Sequence, residues 1–229
     1  MSYNYFGQLI IGPSGSGKTT YCKVVQHFAE VLKRNIMIVN LDPAAETLPY
    51  KCSVDIRELI CLEDAIEAYK LGPNGGLVYC MEYLLENVEW LMDELGDLAE
   101  EDYLLFDCPG QLELYSHLPV MRKLTEALIN KGFSLCSVCL VDSTFTEDEA
   151  KMTSGVLMTL SFMISLGLPH LSVLSKCDLL KDEAKVEQVS RLGREIGFDL
   201  FFADSKIEEA SKSNDKYYSL QKSFQTIVV

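Results

Sequence analysis

Eight consecutive residues, Gly12-Pro13-Ser14-Gly15-Ser16-Gly17-Lys18-Thr19, have the types and spacing of a phosphate cradle. Three glycines permit backbone angles that aim successive N–H groups inward at phosphate oxygens. A helix beginning at the end of the run adds the partial positive charge of its N-terminus. Lys18 is placed for the β- and γ-phosphates of a nucleoside triphosphate, Thr19 for Mg²⁺, and Thr20 extends the same segment. The pattern carries weight only between a strand and a helix. The apolar run 6–11 before it and the helical stretch near 18–33 after it supply that context.

Further chemistry-bearing residues end other apolar runs. Asp107 closes "YLLFD" and is followed by Cys108-Pro109-Gly110-Gln111. A single carboxylate delivered this way holds Mg²⁺ directly or through water, Gly110 offers an N–H to a γ-phosphate, and Gln111 is suited to orient a water. Asp42 follows "IMIVN" by two residues and precedes Pro43. It reads either as an Asp-Pro turn or as a further acidic group near the metal and the water. The run "LSVLS" leads into Lys176-Cys177-Asp178, with Ser175 just before the lysine. A carboxylate there can accept two hydrogen bonds, from guanine N1–H and its exocyclic amine; adenine offers no such pair.

The elements that must position these groups alternate. Runs 6–11, 36–40, 103–107, 135–142 and 171–175 are nearly continuous in apolar residues and predict strands covered on both faces. Helical patterns are expected near 18–33, 54–69, 76–96, 117–131 and 146–166. The alternation predicts an α/β fold of the P-loop NTPase type, mainly a parallel sheet with helices on both faces, as one domain over 1–229. Ligands of such sheets sit at the carboxyl ends of the strands.

Composition narrows the function classes. The net charge of −14 opposes a nucleic-acid surface. Glu82 to Asp102 holds nine acidic residues and no Lys or Arg, most simply a solvated face. The eight cysteines lack disulfide-framework spacing, and no leader is expected, which points to a reducing compartment. Cys136 and Cys139 lie three apart on a strand, on opposite faces, so a redox or metal pair is not expected. Residues 153–175 carry no Asp, Glu, Lys or Arg, but Gly167 and Pro169 divide them into a buried helix and a strand rather than a membrane span. Met152, Met158 and Met163 read as core filler, with a peptide groove as the alternative. His117 reads as a helix-start or packing residue.

Together, "GPSGSGKTT", "NLDPAAE", "GPNGG", "DCPGQLELYSH" and "SKCD" resemble the GPN-loop GTPases, in order from 6 to 180. "LPYKCSVDIRELI" and "LPHLSVLSK" look like the second eukaryotic type of that family. "ELYSHLPVMRKL" and "ISLGLP" look like the third, and these residues do not separate the two. The resemblance implies a GTP- and Mg²⁺-dependent dimeric switch, a homodimer or a heterodimer with another GPN-loop GTPase. The loop around 70–76, with Gly72, Pro73 and Asn74, would enter the partner's nucleotide site. Asp42, Asn74, Asp107 and Gln111 would serve hydrolysis, with Thr19, Asp42 and Asp107 around the metal. RNA polymerase II subunits or assembly factors are the implied clients, with nuclear import as the task and no direct nucleic-acid or membrane contact. The implied location is cytoplasmic, with shuttling to the nucleus. Ser175 stands where many GTPases carry Asn or Thr. The chain stops at "FQTIVV" (224–229), where a further strand, a base-contacting loop and a last helix are expected, so a shortened C-terminal end is anticipated. A metabolite kinase and a nucleotide-holding assembly module without turnover are the alternatives.

Overall fold

Strand β1 (Tyr5–Ile11) is apolar because it runs through the middle of a sheet, and its last three residues are fully buried. The computed structural model describes residues 5–179, apart from 97, 100, 101, 147 and 148. The other strands are β2 (Ile36–Asn40), β3 (Cys52–Asp55), β4 (Tyr103–Asp107), β5 (Phe133–Asp142) and β6 (His170–Ser175). They form one sheet in the order β3-β2-β4-β1-β5-β6. β1 pairs in parallel with β4 and β5, and β2 pairs in parallel with β4 and β3. Leu104, Leu105 and Phe106 are buried in succession, as are Leu9, Ile10 and Ile11. Consecutive burial means that both faces of these strands are covered. Truncating one such side chain to alanine costs about 2–5 kcal/mol.

Register matters most for function. Ile10 stands opposite Asp107, and Asp107 stands opposite Asn40. The ends of β1, β2 and β4 therefore share one edge of the sheet, and the residues that follow each strand emerge there together.

The helices are α1 (Lys18–Val31), α2 (Ile56–Leu59), α3 (Leu62–Tyr69), α4 (Pro73–Glu86), α5 (Val88–Leu95), α6 (Glu113–Ser116), α7 (Val120–Asn130) and α8 (Glu149–Leu166). α1 packs on β1, β2 and β4; α4 packs on α3, α5 and α7. α7 shows the spacing of an amphipathic helix, burying Val120, Met121, Leu124 and Leu128 on one face.

Three expectations needed correction. The helix expected over 54–69 begins as strand β3, then breaks at Ile60, whose backbone is extended, into α2 and α3. Asp55 ends the strand and caps α2, its side chain accepting from Arg57 N–H. The helix expected over 76–96 divides at Asn87, whose side-chain amide turns back to Tyr83 O at 2.8 Å. It also starts earlier. Gly72 is the N-cap, Pro73 the first helical residue, and Asn74 lies in the first turn of α4 rather than at a loop tip. The charge-free run 153–175 does divide into α8 and β6, and no helix among the described residues is long and apolar enough to cross a membrane.

Contacts group the chain into two compact units. Among the described residues, the first comprises 5–140 and 160–170, the second 141–159 and 171–179. In the second, a 3-10 turn (Ser143–Thr146) follows β5 and another (Cys177–Leu179) follows β6. Gly155 of α8 lies against Phe145, whose ring a Cβ would meet at 3.1 Å. The expected C-terminal strand lies outside the described residues.

Candidate phosphate-binding site

In the first unit, β1 ends at Ile11 and the chain turns through Gly12–Gly17 into α1. Gly12 adopts φ 140°, Gly15 76° and Gly17 95°, in the region that side chains avoid. Gly12 is required twice over, because a Cβ would stand 2.4 Å from Leu140 O and 2.9 Å from Ser16 Oγ. Ser14 and Gly15 form the exposed crest, Pro13 is half-buried and Ser16 is buried below it. Gly17 caps α1 without a side-chain bond, so its first turn presents bare N–H groups. Lys18 is buried and donates from Nζ to Gly12 O at 3.1 Å and Pro13 O at 3.2 Å. Thr19 is half-buried and Thr20 exposed.

The carboxylates gather beside this lysine. Burial lowers the Lys18 pKa, opposed by the charges of Asp107 and Asp42. Burial raises Asp107, opposed by the hydroxyls of Tyr50 and Thr19 and by Lys18. Burial also raises Asp42, opposed by the Ala44 N–H, Lys18 and Arg57. Lys18 thus offsets part of the desolvation of each acid and they offset part of its own, whereas the charge of Asp42 works against ionisation of Asp107.

The segment after β4 closes on the loop. A Cβ on Gly110 would stand 2.9 Å from Ser14 Cα and 3.0 Å from Lys18 Nζ. Tyr115 of α6 anchors that segment, its buried hydroxyl donating to Pro109 O at 2.6 Å. Gln111 follows, with Oε1 buried and accepting no hydrogen bond. His117 is exposed at the end of α6.

Asp42 is held by a framework that motif reading did not find. Asn40 Oδ1 accepts from Asp42 N at 3.1 Å, and Asn40 Nδ2 donates to Asp55 Oδ1 at 2.9 Å. Asp55 pairs with Arg57 at 2.5 Å, and Arg57 reaches Ala45 O at 2.7 Å. Tyr50 was missed too: it is 8 % exposed, and its hydroxyl donates to Asp107 Oδ2 at 2.9 Å. No motif or period marks these residues, since the Asn40–Asp55, Arg57–Ala45 and Tyr50–Asp107 contacts span separations that only folding closes.

The residues fit a divalent cation. Asp107 Oδ1 is buried without an accepted hydrogen bond, and the Thr19 hydroxyl is close enough to the Asp107 carboxyl to lower its pKa. Oxygen donors of this kind suit Mg²⁺, which keeps several waters and takes few protein ligands.

One expected group is not part of this cluster. Gly72, Pro73 and Asn74 are exposed on α4. Gly76 explains its own presence, since a Cβ would meet Ile66 Cγ1 of α3 at 2.5 Å. In the second unit, Lys176 adopts φ 56° and pairs with Asp142 at 2.6 Å. Ser143 Oγ donates to Lys176 O at 2.7 Å, and Ser175 Oγ donates to Val141 O at 3.2 Å. Lys176 and Asp142 together hold the turn that carries the backbone of Asp178; the Asp178 side chain lies outside the described residues.

Comparison with known proteins finds relatives of this chain and of its fold. A family model described as "Conserved hypothetical ATP binding protein" matches residues 10–225. A protein named GPN-loop GTPase 3 from Dictyostelium discoideum is 47 % identical over 96 % of this chain and 75 % of its own length. One of the same name from Eremothecium gossypii is 46 % identical over 97 % of this chain and 80 % of its own. The crystal structure of a GTPase from Pyrococcus abyssi, in its apo form, superposes with a TM-score of 0.68 at 29 % identity, covering 80 % of this chain and 71 % of that one.

Proposed function

The chain belongs to the GPN-loop GTPase family, and on that premise we propose that it binds GTP with Mg²⁺ and hydrolyses it to GDP and phosphate. One observation carries the reading. Asp107 Oδ1 and Gln111 Oε1, both buried and both without a hydrogen-bond partner, flank the Gly110 backbone that rests on the phosphate loop. Buried acceptors are left open where a ligand is to fill them.

The chemistry asks for positioning and charge more than for covalent help. N–H groups of Gly12–Thr19 cradle the phosphates, and Lys18 offsets the charge that grows on them. Thr19 and Asp107, with Asp42, would hold Mg²⁺, which would offset the negative charge that grows on the phosphates. Gln111 Oε1 accepts a hydrogen bond from water and aligns it with the γ-phosphorus. As the water oxygen bonds to phosphorus, the bond to the GDP oxygen breaks, GDP leaves with that electron pair, and the water's proton passes to the released phosphate.

The family model's description names ATP, whereas the relatives' names say GTP. The Lys176-x-Asp178 spacing supports guanine, for the hydrogen-bonding reason given above. The finer reading follows the family resemblance. A second GPN-loop GTPase chain is the partner, met through Gly72-Pro73-Asn74, and Asn74 serves the partner's site. RNA polymerase II subunits or assembly factors are the clients, and delivery to the nucleus from the cytoplasm is the task. The exposure of Asn74 at a helix N-terminus supports a role toward another molecule.

The test is phosphate release from GTP and from ATP, with native mass measured alone and beside candidate family partners. We expect release from GTP only, by a dimer. Asp178→Asn should shift preference from guanine toward xanthine, whose 2-oxygen accepts from the new amide. Equal use of ATP would overturn the base assignment, and a monomer active alone would overturn the dimer.

A further inference from the structure

Asp107 has two oxygens and two fates for them. Oδ2 accepts from the buried Tyr50 hydroxyl at 2.9 Å, and Oδ1 is buried and open. We propose that Tyr50 is a positioning residue that occupies Oδ2 of Asp107 and so presents Oδ1 as the single oxygen facing Mg²⁺. The inference rests on the GTPase reading and adds to it the residue that sets the metal-side carboxylate.

Three observations support it. Asp107 ends a buried strand, so its backbone cannot swing to adjust the carboxylate; only rotation of the side chain remains. A hydrogen bond to one oxygen removes that rotation. Tyr50 is in turn held in place by α1. Gln26 Nε2 donates to Lys51 O at 2.9 Å, and Gln26 Oε1 accepts from Lys51 N at 2.9 Å. This two-sided clamp fixes the backbone next to Tyr50. Finally, α1 also carries Lys18 and Thr19 at its start. One rigid helix therefore positions the phosphate lysine, the metal-side threonine and, through the clamp, the tyrosine that orients the metal-side carboxylate. Partners that orient a ligand in this way matter to the metal nearly as much as the ligand does; removing one costs about 10–100-fold in metal affinity or activity.

The experiment separates metal from nucleotide. GDP binding to the wild type, Tyr50→Phe and Gln26→Leu is measured by calorimetry with excess chelator and then across a Mg²⁺ titration. Mn²⁺ binding to each GDP complex is followed by electron paramagnetic resonance. We expect metal-free GDP affinity within about twofold of wild type for both variants, because no phosphate contact is lost. Half-saturating Mg²⁺ should rise about 10–100-fold in Tyr50→Phe. The shift should be smaller but in the same direction in Gln26→Leu, which keeps the hydroxyl and removes only the clamp of half-buried Gln26 on Lys51. Unchanged metal dependence in either folded variant would overturn the proposal. So would an equal loss of metal-free affinity, the mark of a merely structural role. A wild-type chain that binds no guanine nucleotide with or without metal would instead defeat the GTPase premise.

Discussion

Gly110 rests on Ser14: an added Cβ at Gly110 would stand 2.9 Å from Ser14 Cα. The segment after β4 and the phosphate loop after β1 thus meet backbone to backbone, at the point where the proposed mechanism sets the γ-phosphate. The contact exists because Ile10 and Asp107 share a register position, so the two strands release their loops at the same level.

Gly110→Ala tests that contact. The methyl group cannot be absorbed by side-chain movement alone, because Ser14 Cα, a backbone atom, is one of its two nearest neighbours at 2.9 Å. We expect the fold to survive and GTP hydrolysis to fall by about 10²-fold, as for displacements of about 1 Å at a reacting centre. Single-turnover phosphate release, with thermal melting as control, decides it.

Gln111→Leu removes the open acceptor and keeps the bulk. GDP affinity should stay within a few-fold, while hydrolysis falls by about 10²-fold or more for want of an aligned water. Turnover at the wild-type rate would remove Gln111 from the mechanism.

Gly75 and Gly76 are neighbours with opposite expectations. Gly76→Ala drives a Cβ to 2.5 Å from Ile66 Cγ1 and pushes α3 from α4. Overpacking of this kind costs about 1–3 kcal/mol, against less than about 1 kcal/mol gained in helix propensity. Gly75→Ala meets nothing closer than 3.6 Å and should be neutral or slightly stabilising. Urea unfolding of the two variants side by side reads the difference.

The Asp55–Arg57 pair gives a pH signature. Burial alone would raise the Asp55 carboxyl; hydrogen bonds from Arg57 and Asn40 outweigh it and hold the pKa below the usual range. A depressed carboxyl contributes stability above its unfolded pKa, about 3.9, and loses it as the pH falls through the folded value. Arg57→Ala should therefore cost about 1–3 kcal/mol at neutral pH, with the deficit shrinking as the pH drops below about 4. Denaturant midpoints at pH 7 and across the acid range test the sign. A deficit that grows in acid would contradict the pairing.

Local pattern carried much of this protein. Gly12, Gly15 and Gly17 announce their backbone by type, because only glycine enters φ 140°, 76° and 95° without strain. The runs that became β1, β2, β4 and the end of β5 announce burial on both faces by being apolar without alternation, whereas β6 alternates in burial and leaves Leu171 exposed. Strand β3 was hidden: four residues hold no usable period, and Cys52–Asp55 is a strand only because β2 lies beside it. The helix start at Pro73 was hidden likewise, since a Gly-Pro-Asn-Gly-Gly run looks like a breaker until Gly76 is seen against Ile66.

The amino-acid sequence by itself determined the loop that cradles phosphate, the acid at the end of β4 and the alternation that sets them at one sheet edge. These depend on residue types a few positions apart. Only the tertiary structure decided that Tyr50 takes one oxygen of Asp107, that Gln26 steadies Tyr50 through Lys51, and that Asn40, Asp55 and Arg57 hold the segment of Asp42. Tyr50 and Asp107 are 57 positions apart. A hydrogen bond over that separation leaves no trace in local spacing, because packing of the whole sheet brings its two ends together.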